Sequence, residues 1–139
     1  MPEGVKVEYP IEVVWEGERR YRGGPAGGPA LVVDGDRVRA PSPVDTLLVA
    51  LASCSAIDVV EILEKRRTPA SALTVRVEFA RAPVPPRRVT RAHLVFRVTT
   101  ASERVHVERA AALSFEKYCS VSRSLAPDTE LTWEVELVE

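Results

Sequence analysis

Two cysteines raise the first chemical question. Cys54 lies in Leu51-Ala52-Ser53-Cys54-Ser55-Ala56-Ile57, and Cys119 in Phe115-Glu116-Lys117-Tyr118-Cys119-Ser120-Val121-Ser122. A thiol attacks only as thiolate, so a functional cysteine needs a basic or hydrogen-bonding neighbour, and spacing alone identifies none. A free cysteine is also among the most buried residue types and packs as a small hydrophobe. Three uses are therefore open: core packing, a structural bridge, or an attacking and a resolving thiol that cycle through a disulfide. A zinc site is disfavoured, because the two cysteines are far apart and His93 and His106 complete no ligand pattern at short spacing. A hydrolase pairing Cys54 with His93 or His106 would need residues that nothing in the sequence brings together.

The elements that must position these thiols read as follows. Val5 to Trp15 is rich in Val, Ile, Tyr and Trp and predicts a strand, with Pro10 marking an edge or a bulge. Glu16-Gly17-Glu18 is a turn, and Arg19 to Arg22 starts a second strand. Gly23-Gly24-Pro25-Ala26-Gly27-Gly28-Pro29 predicts a flexible loop; it lacks the Lys-Ser/Thr ending of a phosphate-binding loop. Ala30–Val33 and Arg37–Arg39 flank Asp34-Gly35-Asp36 and predict a hairpin. Ser42-Pro43-Val44-Asp45 has the form of a helix start: a capping Ser, Pro at the first helical position and an acid three residues after the cap. The helix should run from 43 to about 66 and be central, since it is apolar nearly all round. Leu73–Ala82, Val89–Thr100 and Leu131–Val138 predict strands. A second helix is expected over about 103–125, stopped by Pro127. This order predicts one α+β domain over 1–139.

Composition excludes several function classes. The 139 residues carry 19 Lys+Arg against 20 Asp+Glu, a net charge of −1, which argues against a nucleic-acid or anionic-membrane partner. The nearly apolar stretch Leu47–Val60 is shorter than the roughly 20 residues of a membrane span. No signal peptide is visible at the start, so the cytoplasm is the expected compartment. There is no Asn, no Gln and one Met, and 16 of the 19 basic residues are Arg. Loss of thermolabile residues is a thermophile bias, which makes the retention of two thiols informative.

The two cysteine segments carry a resemblance. Ser42-Pro43-Val44-Asp45, followed by the helical Cys54-Ser55-Ala56-Ile57-Asp58, resembles the first cysteine helix of the OsmC/Ohr superfamily; Glu116-Lys117-Tyr118-Cys119-Ser120-Val121-Ser122 resembles its second cysteine motif. The likeness covers nearly the whole chain and is greatest to the less characterised OsmC-like branch. It implies an α+β fold of antiparallel sheets around two long central cysteine-bearing helices, in an intertwined homodimer. It implies reduction of organic hydroperoxides: Cys54 attacks the terminal peroxide oxygen, the sulfenic acid condenses with Cys119, and a dithiol resets the pair. No metal or organic cofactor is implied. The alternative is a dimer without significant peroxidase activity that binds a small apolar ligand or does other thiol chemistry.

The chain departs from the peroxidase pattern at one point. Characterised members hold the peroxide with an Arg and with a Glu ten residues before the first cysteine, where this chain has Val44. Asp45 is the nearest acid, although the third position of a capping box accounts for an acid there unaided. The resemblance places the Arg on the early strands, with Arg20 and Arg22 as candidates beside Arg19. Asp58 also matches the family and, if buried, needs a partner.

Overall fold

The computed structural model describes residues 2–139. The chain divides into two compact units, Met1–Leu47 and Leu48–Glu139. Unit 1 holds a three-stranded antiparallel sheet of β1 (Ile11–Gly17), β2 (Arg20–Pro25) and β3 (Leu31–Asp34), in that order. The strand expected from Val5 begins only at Ile11, after Pro10, which has no N–H to give to a ladder. The β1–β2 turn places Gly17 and Glu18 at positive φ and is closed by the Trp15 indole N–H on the Glu18 carbonyl, 2.9 Å.

Two further expectations in unit 1 are corrected. The first half of the Gly-rich stretch is strand, since β2 runs through Gly23 and Gly24 opposite Val13 and Glu12. A Cβ on Gly24 would overlap the Pro29 carbonyl oxygen, so glycine here permits a close backbone approach rather than flexibility. The expected second arm of the Asp-Gly hairpin does not form. Instead the Asp34 carboxylate accepts the N–H groups of Asp36 (2.9 Å), Val38 (3.2 Å) and Arg39 (3.0 Å), and Arg37 takes a positive φ. The amides a returning strand would need are already used.

The Arg39 and Asp36 N–H groups hold the Asp34 carboxyl below its usual 3.8, against the opposing effect of burial. A lowered folded pKa contributes stability that is present above the unfolded pKa and lost as pH falls through the folded one. Asp34→Asn should therefore lower stability at neutral pH and flatten its decline in acid. Urea midpoints from pH 2 to 7 would show this; a variant with the wild-type acid profile would contradict it.

Unit 2 contains most of helix α1 (Pro43–Lys65), then β4 (Ala70–Arg81), β5 (Val89–Thr100), α2 (Arg104–Leu113), a π-helical turn (Ser114–Tyr118), α3 (Ser120–Arg123) and β6 (Glu130–Leu137). α1 starts and stops where its residues predict, with Asp45 in the first turn and Lys65 in the last, each suited to the helix dipole. Its 23 residues are long and apolar enough to cross a membrane by length and composition, more than the stretch ending at Val60 suggested. Its buried side chains, however, form a single stripe: Leu48, Leu51, Ser55, Val59 and Leu63. Val49 and Ile57 on its other side are exposed.

The second sheet has order β4-β5-β6. β4 pairs antiparallel with β5, but β6 pairs parallel with it, from Arg91↔Glu130 to Val98↔Leu137. The expectation of purely antiparallel sheets is thus corrected. A connection containing helices lies between β5 and β6, and such a crossover delivers the next strand in the same direction. The central strand supplies the core with Ala92, Leu94, Val95, Phe96 and Val98, joined by Val107, Ala110 and Ala111 of α2.

The expected long second helix is also corrected. It is broken at Cys119, which has extended geometry (φ −74°, ψ 101°) between the π turn and the four-residue α3. Phe115 packs edge-on against Phe96 at 6.4 Å, and the Cys119 N–H reaches back five residues to the Ser114 carbonyl, 2.8 Å. An inserted π turn of this kind re-aims the side chains that follow it.

Candidate active site

The break at Cys119 brings the second thiol to the first. Cys54 is part-buried on α1, whereas Cys119 is 1% exposed. Both thiols are free. The Ser122 N–H donates to Cys119 Sγ at 3.4 Å, so the thiol caps α3, and the Ser122 hydroxyl donates to the Cys119 carbonyl at 2.9 Å. The Ser120 hydroxyl lies 3.9 Å from Cys54 Sγ.

The two sulfurs have opposite electrostatic surroundings. Burial pushes the Cys54 thiol up, but the Val121 N–H, the Cys119 side chain and the hydroxyl and N–H of Ser120 together outweigh it and bring the thiol below its ordinary value. Burial pushes the Cys119 thiol up; Ser122 opposes this, and the neighbouring Cys54 adds to the rise. The two environments thus shift the thiols in opposite directions, Cys54 toward thiolate and Cys119 toward thiol.

Beneath Cys54 lies a buried polar group that the sequence did not reveal. Ser55 and Ser114 are fully buried, their hydroxyl oxygens 3.0 Å apart, and Ser114 Oγ is 2.8 Å from Asp58 Oδ2. Ser114 has one hydroxyl proton, which the carboxylate attracts most strongly, so the Ser55 proton serves Ser114. Asp58 thus has the partner it required. A cavity of about 420 Å³ opens beside it, lined by Asp58, Glu61, Ile62, Lys65, Leu113 and Tyr118. Among the described residues, no three His, Cys, Asp or Glu side chains converge to hold a metal ion.

The other candidates have different partners. Asp45 completes the capping box: its N–H donates to Ser42 Oγ (3.1 Å), and its Oδ2 accepts the Ser42 N–H (3.0 Å) and Arg37 Nε (2.8 Å). The Ser42 N–H chiefly holds the Asp45 carboxyl below its usual value. The arginine that meets this acid is Arg37, which the sequence reading did not single out. Arg20 pairs with Glu18 at 3.4 Å and Arg22 with Glu16 at 3.1 Å, within unit 1. His93 is bound to β6 through Thr132 Oγ1, 2.7 Å from its Nδ1. His106 lies in α2. No imidazole is among the groups that act most strongly on Cys54.

Comparison with known proteins gives the family. The sequence model of the family described as "OsmC-like protein" matches residues 34–134. The chain belongs to the OsmC-like family. It is 38% identical to Protein YhfA of Escherichia coli (strain K12) over 128 residues, covering 91% of this chain and 96% of that one. The crystal structure of a hypothetical protein from Aquifex aeolicus VF5 superposes with a TM-score of 0.82 at 26% identity, over 96% of this chain and 100% of the other. The organic hydroperoxide resistance protein OhrB of Bacillus subtilis shares the fold at a TM-score of 0.61 and 12% identity, over 92% and 98% of the two chains. As an OsmC-like protein, the chain pairs the family's α+β architecture with a thiol environment supplied largely by the segment around its second cysteine.

Proposed function

We propose that the protein reduces organic hydroperoxides with its two thiols. The observation that carries this reading is the asymmetry of the pair: a part-buried Cys54 held toward thiolate beside a buried Cys119 held toward thiol. In the first step the Cys54 thiolate attacks the terminal oxygen of ROOH. The O–O bond breaks, the sulfur is oxidised to sulfenic acid, and the alkoxide leaves as ROH after taking a proton from water. In the second step the Cys119 sulfur attacks the sulfenic sulfur, forming the disulfide and releasing water. A dithiol then reduces the disulfide by exchange and is itself oxidised to a disulfide. The scheme uses no metal and no organic cofactor.

A homodimer is part of the proposal. The apolar side chains Ile11, Val13, Val14 and Trp15 of β1 are exposed on both faces of their strand, and Val49 and Ile57 are exposed on α1. A sheet whose edge strand exposes apolar residues on both faces calls for a partner surface, and a second copy of this chain would supply a matching one. Sedimentation equilibrium is expected to return twice the chain mass.

The decisive assay is consumption of cumene hydroperoxide by the wild type with a dithiol reductant. Steady turnover supports the reading. No turnover sinks it and leaves a thiol dimer that binds a small apolar ligand or serves other thiol chemistry.

A further inference from the structure

The Ser120 hydroxyl is placed for a task that its position in the sequence does not announce. It is exposed, stands 3.9 Å from Cys54 Sγ, and has no other side-chain partner among the described residues. Its carbonyl is engaged separately, by the Ser124 hydroxyl at 2.8 Å. The backbone break at Cys119 creates the placement: the extended φ/ψ of that residue turns Cys119 Sγ back onto the Ser122 N–H while the next residue faces α1. In unit 1, Asp45 pairs with Arg37, Arg20 with Glu18, Arg22 with Glu16 and Arg19 with Asp36.

We propose that Ser120 is a positioning residue for Cys54, donating its hydroxyl proton to the thiolate and fixing the direction from which the sulfur is attacked or attacks. The inference rests on the peroxidase reading for its purpose, but not for its chemistry: a hydroxyl directed at a sulfur anion stabilises that anion whatever the electrophile. Beside the Cys119 thiol, α1 carries Asp45, Asp58, Glu61, Glu64 and Lys65, the π turn carries Glu116, Lys117 and Tyr118, and α3 carries Arg123. Asp58 is engaged by Ser114, and Arg123 by the Glu116 carbonyl at 2.6 Å.

The test is the pH profile of Cys54 alkylation by iodoacetamide, followed by peptide mass mapping on the full chain. Ser120→Ala is expected to slow Cys54 modification at pH 7 by about three- to tenfold and to move the midpoint of the profile to higher pH. Ser120→Thr keeps the hydroxyl and is expected to restore the wild-type profile to within about twofold. An unchanged profile in Ser120→Ala would overturn the proposal, and so would equal losses in the Ala and Thr variants. Because alkylation needs no peroxide, a wild type without turnover would count against the peroxidase reading alone.

Discussion

Cys54→Ser is expected to abolish dithiol-dependent consumption of cumene hydroperoxide, by about three orders of magnitude or more. The serine hydroxyl is far less acidic than a thiol, so the hydrogen bonds from Val121 and Ser120 would no longer meet an anion. Cys119→Ser has a different expected signature. The first oxidation needs only Cys54, so this variant should still consume one equivalent of peroxide per chain in a single burst and accumulate a dimedone-reactive sulfenic acid. Steady turnover should then fall, since no second thiol closes the disulfide. A burst kept by Cys54→Ser and lost by Cys119→Ser would reverse the two roles. The burst rate should also rise with pH about a midpoint below the ordinary thiol value of 9.0, because the Cys54 thiol lies below it. A midpoint at or above 9.0 would contradict the geometry of the donors.

Ser114→Ala is the second substitution with a large expected effect, here on stability. It leaves the fully buried Ser55 hydroxyl without an acceptor and Asp58 Oδ2 without its donor. An unsatisfied buried polar group costs about 1–3 kcal/mol, and Asp58, being half-buried, falls toward the low end because water reaches it. The variant should lose several degrees in Tm. Its effect should reach the thiols too, since Ser114 heads the π turn and its carbonyl holds the Cys119 N–H. Asp58→Ala should destabilise by a smaller amount, and the double variant by less than the sum, because the two side chains share one hydrogen bond. Denaturant unfolding of the four proteins checks this. Strict additivity would show that the serines and the aspartate do not act as a unit.

What was legible in the sequence depended on how local its cause was. The start of α1 is set by Ser42, Pro43 and Asp45 within one turn, and each hydrogen bond of that cap could be written down from residue types alone. The extent of β5, Val89–Thr100, follows equally from its own alternation. The second helix fails as a prediction because its break is tertiary. Residues 114–123 contain nothing that forbids a helix, and the π turn is held by Phe96 and Asp58, remote in sequence. The same holds for the site. Cys54 and Cys119 stand out by type, but Ser55, Ser114 and Ser120 are small polar residues in helical text, and only their neighbours make them notable. The Asp-Gly turn misled for a different reason: the side chain of Asp34 offers the backbone a competing set of hydrogen bonds.

The parallel pairing of β5 with β6 has a consequence for the order of events in folding. The β4–β5 hairpin closes a short loop, whereas Arg91 meets Glu130 only after the whole helical crossover has been gathered in. Closing the longer loop costs more chain entropy before any contact repays it. Cys119 lies inside that crossover, so the two thiols should become neighbours late, and a transient opening of β6 with the crossover should separate them before the hairpin is lost. Hydrogen exchange should therefore find the amides of β6 less protected than those pairing β4 with β5. The neighbourhood of the two thiols would then be the last part of unit 2 to assemble, after the β4–β5 hairpin exists.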